Sequence, residues 1–524
     1  TNAGITLCTI PSPAQKKVQN LTKADALPDE IITALLADNQ GDIWIGTHEK
    51  GLCHYDVAKQ RIDFQTPQWS FGPVLSLASF GSAELWAGTA GEGLVRVETR
   101  AGTLHPLPPA HPLRRTKMPV LCKDREGLLW VVSDRGEVYS ANVRFGMLAT
   151  TFGTVQAVLI DRQNRLWAGS PEGLFLREKE QKAIQNPIFP KNGVAETPSK
   201  TSKGFKSVLP QKENVIALWE SPTDGNIWVG TFGKGVFVVS PQGKILRHLT
   251  ERNGLANGSV LSIAGDEKHT WLATLGGVSL IDSQNPEHSE QFSRQNELGS
   301  SYVYKVFLDS RGRIWFGTDG KGLSVFENGN FKHFTEANGV ALKTIYSIAE
   351  DRRGHIWFSS EKEGVLKFDG QNFQHFTTDN HLHSHAVTGL AADANGQIII
   401  AYEDGFDVLN PARTDHVTFC GAAIGAPVAE VNLNALCRDG YGNIWLGTRQ
   451  GIVRAAAYDE PFLDDPQPGI TAVSIFSQAI DFLSNSIFPH DRNYFIFNFT
   501  GLWYTDPESV RYRYRLDGFD PDWK

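Results

Sequence analysis

One short pattern recurs along most of the chain and constrains its fold more than any other feature. The copy at 303–327 reads VYKVFLDSRGRIWFGTDGKGLSVFE, and the copies at 32–56 and 345–369 follow the same order. Each copy has an apolar run, an Asp-x-x-Gly turn, a run that contains Trp, a second turn, and an alternating run that begins at Gly-Leu or Gly-Val. A pattern that repeats at this period indicates tandem copies of one supersecondary unit.

A tryptophan in the second run marks nearly every copy, and Ile399 takes its place in one weaker copy. Successive markers are 42, 44, 37, 61, 43, 44, 42, 42 and 46 residues apart. Because these tryptophans serve every copy alike, we interpret them as core residues rather than as platforms for a ligand. They are Trp44, Trp86, Trp130, Trp167, Trp228, Trp271, Trp315, Trp357 and Trp445.

Each copy supplies four strand signals. The Asp-x-x-Gly segment predicts a tight turn, because Asp hydrogen-bonds its own backbone and Gly accepts a positive φ. The last run is typically Phe-x-x-Phe, as at Phe331–Phe334 and Phe373–Phe376. Four antiparallel strands in each ~40–45 residues are typical of a β-propeller blade. The sequence therefore predicts an all-β protein with about ten full propeller repeats.

The first run of most copies carries a small residue four positions before the turn Asp, where the innermost strands of a propeller converge on the axis. Lys305 breaks this rule. Either its stem packs while its amine reaches water, or the amine contacts a ligand, because long charged side chains are seldom placed centrally without a partner. The small residues are Ala34, Ala157, Ser262, Ser347, Gly389 and Ala435.

Composition and missing motifs exclude several classes of function. A net charge of −8 argues against a nucleic-acid partner. The five cysteines include no C-x-x-C pair, so neither a zinc site nor a disulfide framework is predicted. No apolar run approaches the ~20 residues that span a bilayer. Since hydrolase, zinc-protease and phosphate-loop motifs are missing too, we predict no catalytic residue, no metal and no cofactor.

Two stretches of the chain resemble a known receptor family. The repeated Asp-x-x-Gly-x-Ile-Trp-x-Gly-Thr with a following Gly-Leu resembles the two-component regulator propeller repeat over most of residues 1–456. Residues 494–523, YFIFNFTGLWYTDPESVRYRYRLDGFDPDW, look like the front half of the Y-Y-Y domain, a small β-sandwich that follows such propellers. Alternation across Arg511–Leu516 independently predicts a half-buried strand. The second resemblance is carried by Tyr512, Tyr514, Leu516, Gly518, Phe519 and Trp523.

The resemblance implies a sensor that lies on the periplasmic side of the bacterial inner membrane. Propellers of such receptors bind a small molecule or an oligosaccharide, often a breakdown product of a polysaccharide. The β-sandwich connects them to a transmembrane helix and a histidine kinase, which are not part of this sequence. We further expect a homodimer through the ectodomain of the full-length receptor, and the charge and the missing motifs predict no nucleic-acid partner and no catalysis by this segment.

Counting the markers predicts three parts. Family members often carry two seven-bladed rings, and seven markers counted back from Trp445 reach Trp167. This count predicts the last blades of a first propeller at 1–150, a seven-bladed propeller at 151–466 and the start of the β-sandwich at 467–524. Because Thr1–Ile5 aligns with the middle of a copy, we expect the chain to open within a blade. The polar stretch at 178–211 is a competing boundary that would leave six blades after it, and a single open or ten-bladed ring is a further alternative.

Loops before the first strands supply the candidate binding residues, because propellers bind ligands at the ends of the central channel. Their hydroxyl, amide, imidazole and aromatic groups suit an oligosaccharide. The alternating His381, His383 and His385 could face a metal, but no carboxylate or Cys has a useful spacing, so a solvated loop is the favoured interpretation. The candidates are Asn257, Ser259, Tyr302, Lys305, Lys343, Thr344, His383, His385 and Asn432.

Two other functions stay open from the sequence. A propeller lyase or hydrolase would need a histidine and an acidic partner that converge on the axis. A protein-interaction scaffold would present a broad apolar patch on one ring face and no deep pocket.

Overall fold

The computed structural model describes most of the chain from residue 4 to residue 524. No helix among these residues has the length and apolar character needed to cross a membrane. The ranges outside the description are 1–3, 13–14, 39, 81–83, 100–101, 108–110, 112, 125–126, 179–203, 211, 283–288, 294–297, 336–338, 341–342, 361–362, 412, 422–425, 427–429, 457–467, 477, 482–487, 489–490, 492–493 and 502–509.

The first part of the chain forms a row of small antiparallel sheets, in which each strand pairs with the next in sequence. The first strands of the last three sheets contact one another in turn. The strands are β1 (Ile5–Ser12) and β2 (Gln15–Leu21); β3 (Ile32–Ala37), β4 (Ile43–Thr47), β5 (Leu52–Asp56) and β6 (Arg61–Gln65); β7 (Val74–Phe80), β8 (Glu84–Thr89), β9 (Leu94–Glu98) and β10 (Thr103–Pro106); and β11 (Val120–Lys123), β12 (Leu129–Val132) and β13 (Val138–Ala141).

Six further four-stranded sheets follow with the same order. They are β15 (Ala157–Ile160), β16 (Leu166–Ser170), β17 (Gly173–Arg177) and β18 (Phe205–Ser207); β19 (Val215–Glu220), β20 (Ile227–Thr231), β21 (Val236–Val239) and β22 (Ile245–Leu249); β23 (Val260–Gly265), β24 (His269–Thr274), β25 (Gly277–Asp282) and β26 (Ser289–Phe292); β27 (Val303–Leu308), β28 (Ile314–Thr318), β29 (Leu323–Glu327) and β30 (Asn330–Phe334); β31 (Ser347–Glu350), β32 (Ile356–Ser360), β33 (Gly364–Phe368) and β34 (Phe373–Phe376); and β35 (Gly389–Ala392), β36 (Ile398–Ala401), β37 (Gly405–Asn410) and β38 (Arg413–Gly421).

A seventh sheet joins strands that are far apart in sequence. It contains β39 (Val431–Arg438), β40 (Ile444–Thr448) and β41 (Gly451–Ala455), and its outer strand is β14 (Phe145–Ala149). The inner strands β15, β19, β23, β27, β31, β35 and β39 contact one another in this order, and β39 also contacts β15. These contacts close a ring of seven sheets. The count of marker tryptophans places the beginning of the ring at residue 151, and strand β14 lies before that residue. Its antiparallel pairing with β41 closes the ring.

Every marker tryptophan lies in the second strand of its sheet, and Ile399 lies at the equivalent place in β36. The predicted all-β architecture of four-stranded propeller blades is therefore confirmed. The stretch at 178–211, of which 179–203 and 211 lie outside the described residues, contains β18, which pairs with β17 in the same sheet. Short 3₁₀ turns at Lys23–Asp25, Glu251–Asn253 and Thr378–Asn380 precede the loops that lead to the next inner strand.

In several sheets the turn aspartate accepts a hydrogen bond from the marker tryptophan. Asp309 Oδ1 accepts hydrogen bonds from the backbone N–H groups of Arg311 and Arg313. Its Oδ2 accepts from Trp315 Nε1 at 2.8 Å and from Arg313 Nε at 2.6 Å. The same indole bond is present at Asp161, Asp351 and Asp439. The six-residue spacing between Asp and Trp in the repeat thus has a structural cause.

A buried charge network connects the first row of sheets with the ring. Glu84 Oε2 lies 3.1 Å from Arg96 Nη1 and 3.8 Å from Arg454 Nη1, and all three side chains are buried. Because Arg454 belongs to β41 and Glu84 to β8, these ion pairs hold the two parts together at the place where the ring is sealed.

The C-terminal region forms a small sheet, but the strand predicted at Arg511–Leu516 is not present. Strands β42 (Pro468–Ile475), β43 (Gln478–Ile480) and β44 (Phe495–Gly501) form a three-stranded sheet. Arg511–Leu516, predicted as a half-buried strand, is exposed and is not a strand, so that prediction is wrong. Alternation buries one face only when another layer covers it, and single contacts such as that between Phe499 and Tyr512 leave the segment exposed. Its Tyr514 exchanges two backbone hydrogen bonds with Lys524.

Candidate functional site

One repeat position, at the beginning of the inner strands or within them, carries mostly polar and aromatic side chains. It is the residue directly before the small residue that the repeat places in the first strand, and all seven residues at this position are half-buried. Side chains alternate along a strand, so this residue points away from the small one that packs against the next blade. The seven residues are Gln156, Ile216, Leu261, Tyr304, Tyr346, Thr388 and Asn434.

Four of these residues, on four consecutive sheets, are connected by direct contacts. The rings of Tyr304 and Tyr346 lie 4.7 Å apart between centroids. Asn434 Nδ2 donates a hydrogen bond to the carbonyl of Tyr346 at 2.6 Å, and its backbone N–H donates to the carbonyl of Thr388 at 2.9 Å. Together with Gln156 they form what we call the axial cluster: Gln156, Tyr304, Tyr346, Thr388 and Asn434.

A bulge in β39 allows the side chain of Asn434 to contact Tyr346. The first strands of several sheets contain a small register shift, as between Val303 and Lys305. In β39 the shift is larger and extends from Val431 to Leu436, because this copy has two additional residues. Asn434 lies within the bulge at φ 57, a left-handed conformation that Asn tolerates better than most residues. The bulge carries Asn434 towards a strand two sheets away.

The axial cluster leaves three polar atoms buried without a hydrogen-bond partner. They are Gln156 Oε1, Thr388 Oγ1 and Asn434 Oδ1. Buried polar atoms in folded proteins are nearly always hydrogen-bonded, and an unsatisfied one costs about 1–3 kcal/mol. The cluster therefore offers acceptors, at neighbouring positions, for a molecule that donates hydrogen bonds. Its own side chains include neither a carboxylate nor a histidine.

Lys305 follows Tyr304 in β27 and is also half-buried. Burial lowers the pKa of its amine to about 8, so the amine is still mostly protonated at neutral pH. Within the part of the chain that the structure describes, this amine has no hydrogen bond or ion pair. Lys305 thus places an uncompensated positive charge on an inner strand of the ring.

Most of the loop residues predicted as binding candidates hold their own loops in place. Asn257 Oδ1 accepts from the backbone N–H of Ser259 at 2.8 Å. Thr344 Oγ1 donates to Asp319 Oδ1 at 2.9 Å, and the backbone N–H of Lys343 donates to the Glu363 carboxylate. Tyr302 is 52% exposed.

The predicted histidines have separate partners. His383 Nε2 lies 2.9 Å from Asp404 Oδ2, and the imidazole stacks on Phe419 with centroids 3.5 Å apart. His385 Nε2 instead lies 3.3 Å from Thr378 Oγ1. The described contacts therefore do not bring these two side chains to one point.

Asn432, another predicted candidate, lies in β39 beside Asn434 of the axial cluster. Its Nδ2 donates to the carbonyl of Val155 at 2.8 Å, directly before Gln156. This bond connects the sheet of β39 with the residue before β15, and it helps to fix Gln156 beside the β39 bulge.

One group of side chains among the described residues has the arrangement of a metal site. Possible ligand atoms of Asp38, Asp42 and His54 lie within 4.8 Å of one another. Asp42 occupies the place at which Arg165 and Arg313 pair with their turn aspartates in other copies. His54 is already hydrogen-bonded, with Nδ1 2.7 Å from Asp63 and Nε2 3.4 Å from Asp38.

A buried carboxyl group lies beneath the His383 loop. Asp407 Oδ2 accepts from Tyr402 Oη at 2.6 Å and from the His383 backbone N–H at 2.9 Å, while Oδ1 is buried without a partner. Burial raises the pKa of Asp407 to about 6, although both hydrogen bonds act in the opposite direction. In the sheet that contains β25, a serine accepts the corresponding backbone hydrogen bond: Ser279 Oγ accepts from the Ala256 N–H.

We expect the stability of the ring to fall as pH rises through the folded-state pKa of Asp407. The raised pKa means that the stabilising contribution is complete below 3.8, the ordinary pKa, and is lost as pH rises through about 6. The loss is on the order of 3 kcal/mol. Urea unfolding between pH 4 and 7 should show this loss in the native chain and not in Asp407→Asn, whereas exposed Asp369→Asn should behave as the native chain does. An equal loss in Asp407→Asn would contradict the assignment.

The sequence model of the two-component regulator propeller family matches the chain at residues 26–49, 297–320, 339–362 and 427–450. Each match ends two residues beyond the second strand of a sheet, so it covers the Asp turn and the marker Trp. No curated protein matches the sequence.

Solved structures are similar to this chain at low sequence identity, and the fold is shared with one that has a TM-score above 0.5. The extracellular domain of a hybrid two-component system from B. thetaiotaomicron is 20% identical with a TM-score of 0.57, and the alignment covers 100% of this chain and 70% of that one. The extracellular domain of a one-component system from the same species is 18% identical, with coverage of 100% and 72% and a TM-score of 0.46. Virginiamycin B lyase from Staphylococcus aureus is 14% identical, with coverage of 59% and 98% and a TM-score of 0.46.

Proposed function

This chain carries two-component regulator propeller repeats, and from that premise we propose that it is the ligand-sensing region of a two-component receptor. Its ligand is a carbohydrate-derived molecule that binds at the axial cluster. The sensing region lies outside the cytoplasm, on the periplasmic side of the inner membrane, and passes its signal to a histidine kinase.

The unsatisfied acceptors of the axial cluster are the observation that carries this proposal. Gln156 Oε1 and Asn434 Oδ1 need hydrogen-bond donors, and the Thr388 hydroxyl can donate or accept. A sugar presents several hydroxyl groups at close spacing, which can fill both roles. The adjacent rings of Tyr304 and Tyr346 add apolar surface for the C–H faces of a pyranose. A few convergent polar groups beside aromatic side chains are typical of small-molecule sites.

The same cluster provides a route from binding to signalling. Its hydrogen bonds and ring contacts connect four consecutive sheets, so a ligand that occupies it stabilises one arrangement of these sheets. A ligand transmits a signal only if it binds two receptor arrangements with different affinity. We propose that the two arrangements are those of a homodimer, and that the C-terminal sheet β42–β44 connects the ring with the membrane.

Binding of glycans to the native chain and to two matched asparagine variants tests this proposal. Asn434 and Asn328 both have a positive φ, of 57 and 51, so replacement by alanine strains the backbone similarly at both positions. Only Asn434 belongs to the axial cluster, because Asn328 is exposed in the turn after β29. We expect Asn434→Ala to bind the glycan about tenfold more weakly, as for the loss of one hydrogen bond. Asn328→Ala should bind as the native chain does.

Calorimetric titration against a panel of oligosaccharides measures the affinities, and chromatography of the recovered glycan shows whether it is intact. Equal binding by Asn434→Ala and the native chain would remove the axial cluster as the site. Absence of binding by every glycan would refute a carbohydrate ligand. Conversion of the glycan would show an enzyme instead of a sensor.

A further inference from the structure

We propose that Lys305 forms an anion-binding subsite beside the axial cluster, so that the ligand carries a carboxylate or sulfate group next to its hydroxyl groups. This inference rests on the proposed function, because it names the chemical class of the ligand that binds at the same site.

The first support is the position of Lys305. At the equivalent place in neighbouring sheets, small side chains pack directly against the next inner strand. Ser262 Oγ donates to the carbonyl of Val306 at 3.3 Å, and Ser347 Oγ accepts from the Leu390 N–H at 3.0 Å. The spacing of the inner strands therefore suits small side chains. A lysine stem that starts there extends beyond this contact, and the geometry points to an amine in the ring interior near Tyr304 and Tyr346.

The second support is the missing counter-charge. Several buried or half-buried arginines of the described residues are paired with a carboxylate: Arg96 with Glu84, Arg165 with Asp161, and Arg313 with Asp309. Lys305 has no such partner among the described residues. Burial of an unpaired ammonium group is unfavourable, which is the reason that its pKa is lowered to about 8. An anion beside the amine would remove this penalty.

The third support is that the donors and acceptors are complementary to one kind of ligand. The axial cluster leaves acceptor atoms unsatisfied, which match hydroxyl donors, whereas Lys305 supplies only donors, which match an anionic oxygen. A purely neutral sugar would satisfy the acceptors and leave the ammonium unpaired. A ligand with hydroxyl groups and one anionic group satisfies both.

Direct observation of the Lys305 amine tests the subsite without knowledge of the natural ligand. Reductive methylation with ¹³C-formaldehyde labels accessible lysines, and the Lys305→Met variant assigns the Lys305 signal in the NMR spectrum. We expect this signal to shift saturably with inorganic sulfate or with glucuronate, at concentrations on the order of millimolar. The signal of exposed Lys343 should shift only in proportion to ionic strength. A Lys305 amine that is not labelled, or that shifts as Lys343 does, overturns the proposal.

The two probes distinguish the sources of the anion, since sulfate stands for a sulfated ligand and glucuronate for a uronic acid. Glucose is the neutral counterpart of glucuronate. Lys305→Met should abolish saturable binding of the anions, measured calorimetrically, while Lys343→Met should leave it unchanged. If neutral glycans bind through Asn434 and Lys305→Met changes the binding of neither anion, the proposed function stands and the anionic subsite is refuted.

Discussion

Replacing Asp309 with alanine should destabilise its blade by about 3–5 kcal/mol, since it removes one partner of a buried ion pair and leaves the other charge uncompensated. Asp309 is 4% exposed, and its carboxylate accepts four hydrogen bonds, two from the backbone and two from side chains. The substitution leaves the buried Trp315 indole N–H and the Arg313 guanidinium without their acceptor. Each loss adds to the cost.

Two variants separate the contributions to this effect. Asp309→Asn keeps the shape and one acceptor oxygen but loses the charge that faces Arg313, so it should fall between the native chain and alanine. Asp369→Ala removes a turn aspartate that is exposed and accepts hydrogen bonds from residues of its own turn, and its effect should be smaller. Hydrogen exchange of β27–β30, with urea unfolding followed by tryptophan fluorescence, measures both. Equal effects of Asp309→Ala and Asp369→Ala would show that the indole bond contributes nothing.

The pH dependence of the same group has the opposite sign from that of Asp407. Burial alone would raise the pKa of Asp309, but hydrogen bonds from Trp315 and Arg313 outweigh it and hold the pKa below 3.8. The stabilisation by Asp309 is therefore present above its ordinary pKa and is lost as pH falls below it. Asp407 accepts fewer hydrogen bonds, so the effect of burial prevails and its pKa is raised instead of lowered.

The repeat could be predicted from the sequence because its determinants are local. Asp309, Gly312 and Trp315 lie within one turn and one strand, and they define the hairpin without any distant partner. Strand β14 lacks such a signal. Phe145–Ala149 has neither the Asp turn nor the Trp, and its partner β41 begins about 300 residues later, so only the closed ring determines the pairing.

The axial cluster was missed for a related reason. Most of the predicted candidates lie in the loops before the inner strands, whereas the clustered side chains lie at the beginning of these strands or within them, one position before the small residue. The signal was present in the sequence at Tyr304 and Tyr346, which precede Lys305 and Ser347. Asn434 could not have been placed, because its contact with Tyr346 depends on the bulge in β39. The Arg511–Leu516 prediction failed because alternation does not by itself supply the layer that buries a strand.

Replacing Phe145 with alanine should destabilise the ring by about 3–5 kcal/mol, the usual cost of removing a buried phenylalanine side chain. Phe145 is 1% exposed and packs edge-to-face on Phe406 of the neighbouring sheet at 5.8 Å between centroids. It shares a core with residues of β40 and β41, including Leu446 and Val453. Phe145 therefore anchors the sealing strand β14 to two blades.

Hydrogen exchange should show which strands are destabilised in Phe145→Ala. We expect faster exchange in β14 and β41 of Phe145→Ala and little change in β27–β30 on the opposite side of the ring. Phe232→Ala is the matched control, because Phe232 is 54% exposed and lies in the turn after β20. Unchanged exchange in β14 would show that the backbone ladder to β41 is sufficient to hold this strand.

The same variant connects ring closure with ligand binding. The bulge that carries Asn434 belongs to the sheet that β14 seals, and Asn432 joins that sheet to Val155 beside Gln156. A ring that opens at this seam separates Gln156 from Asn434, while the contact between Tyr304 and Tyr346 on the far blades persists. Phe145→Ala should therefore weaken glycan binding although Phe145 lies outside the axial cluster, and Phe232→Ala should not. Full affinity in a chain with a loosened β14 would show that the ligand needs only the far side of the ring.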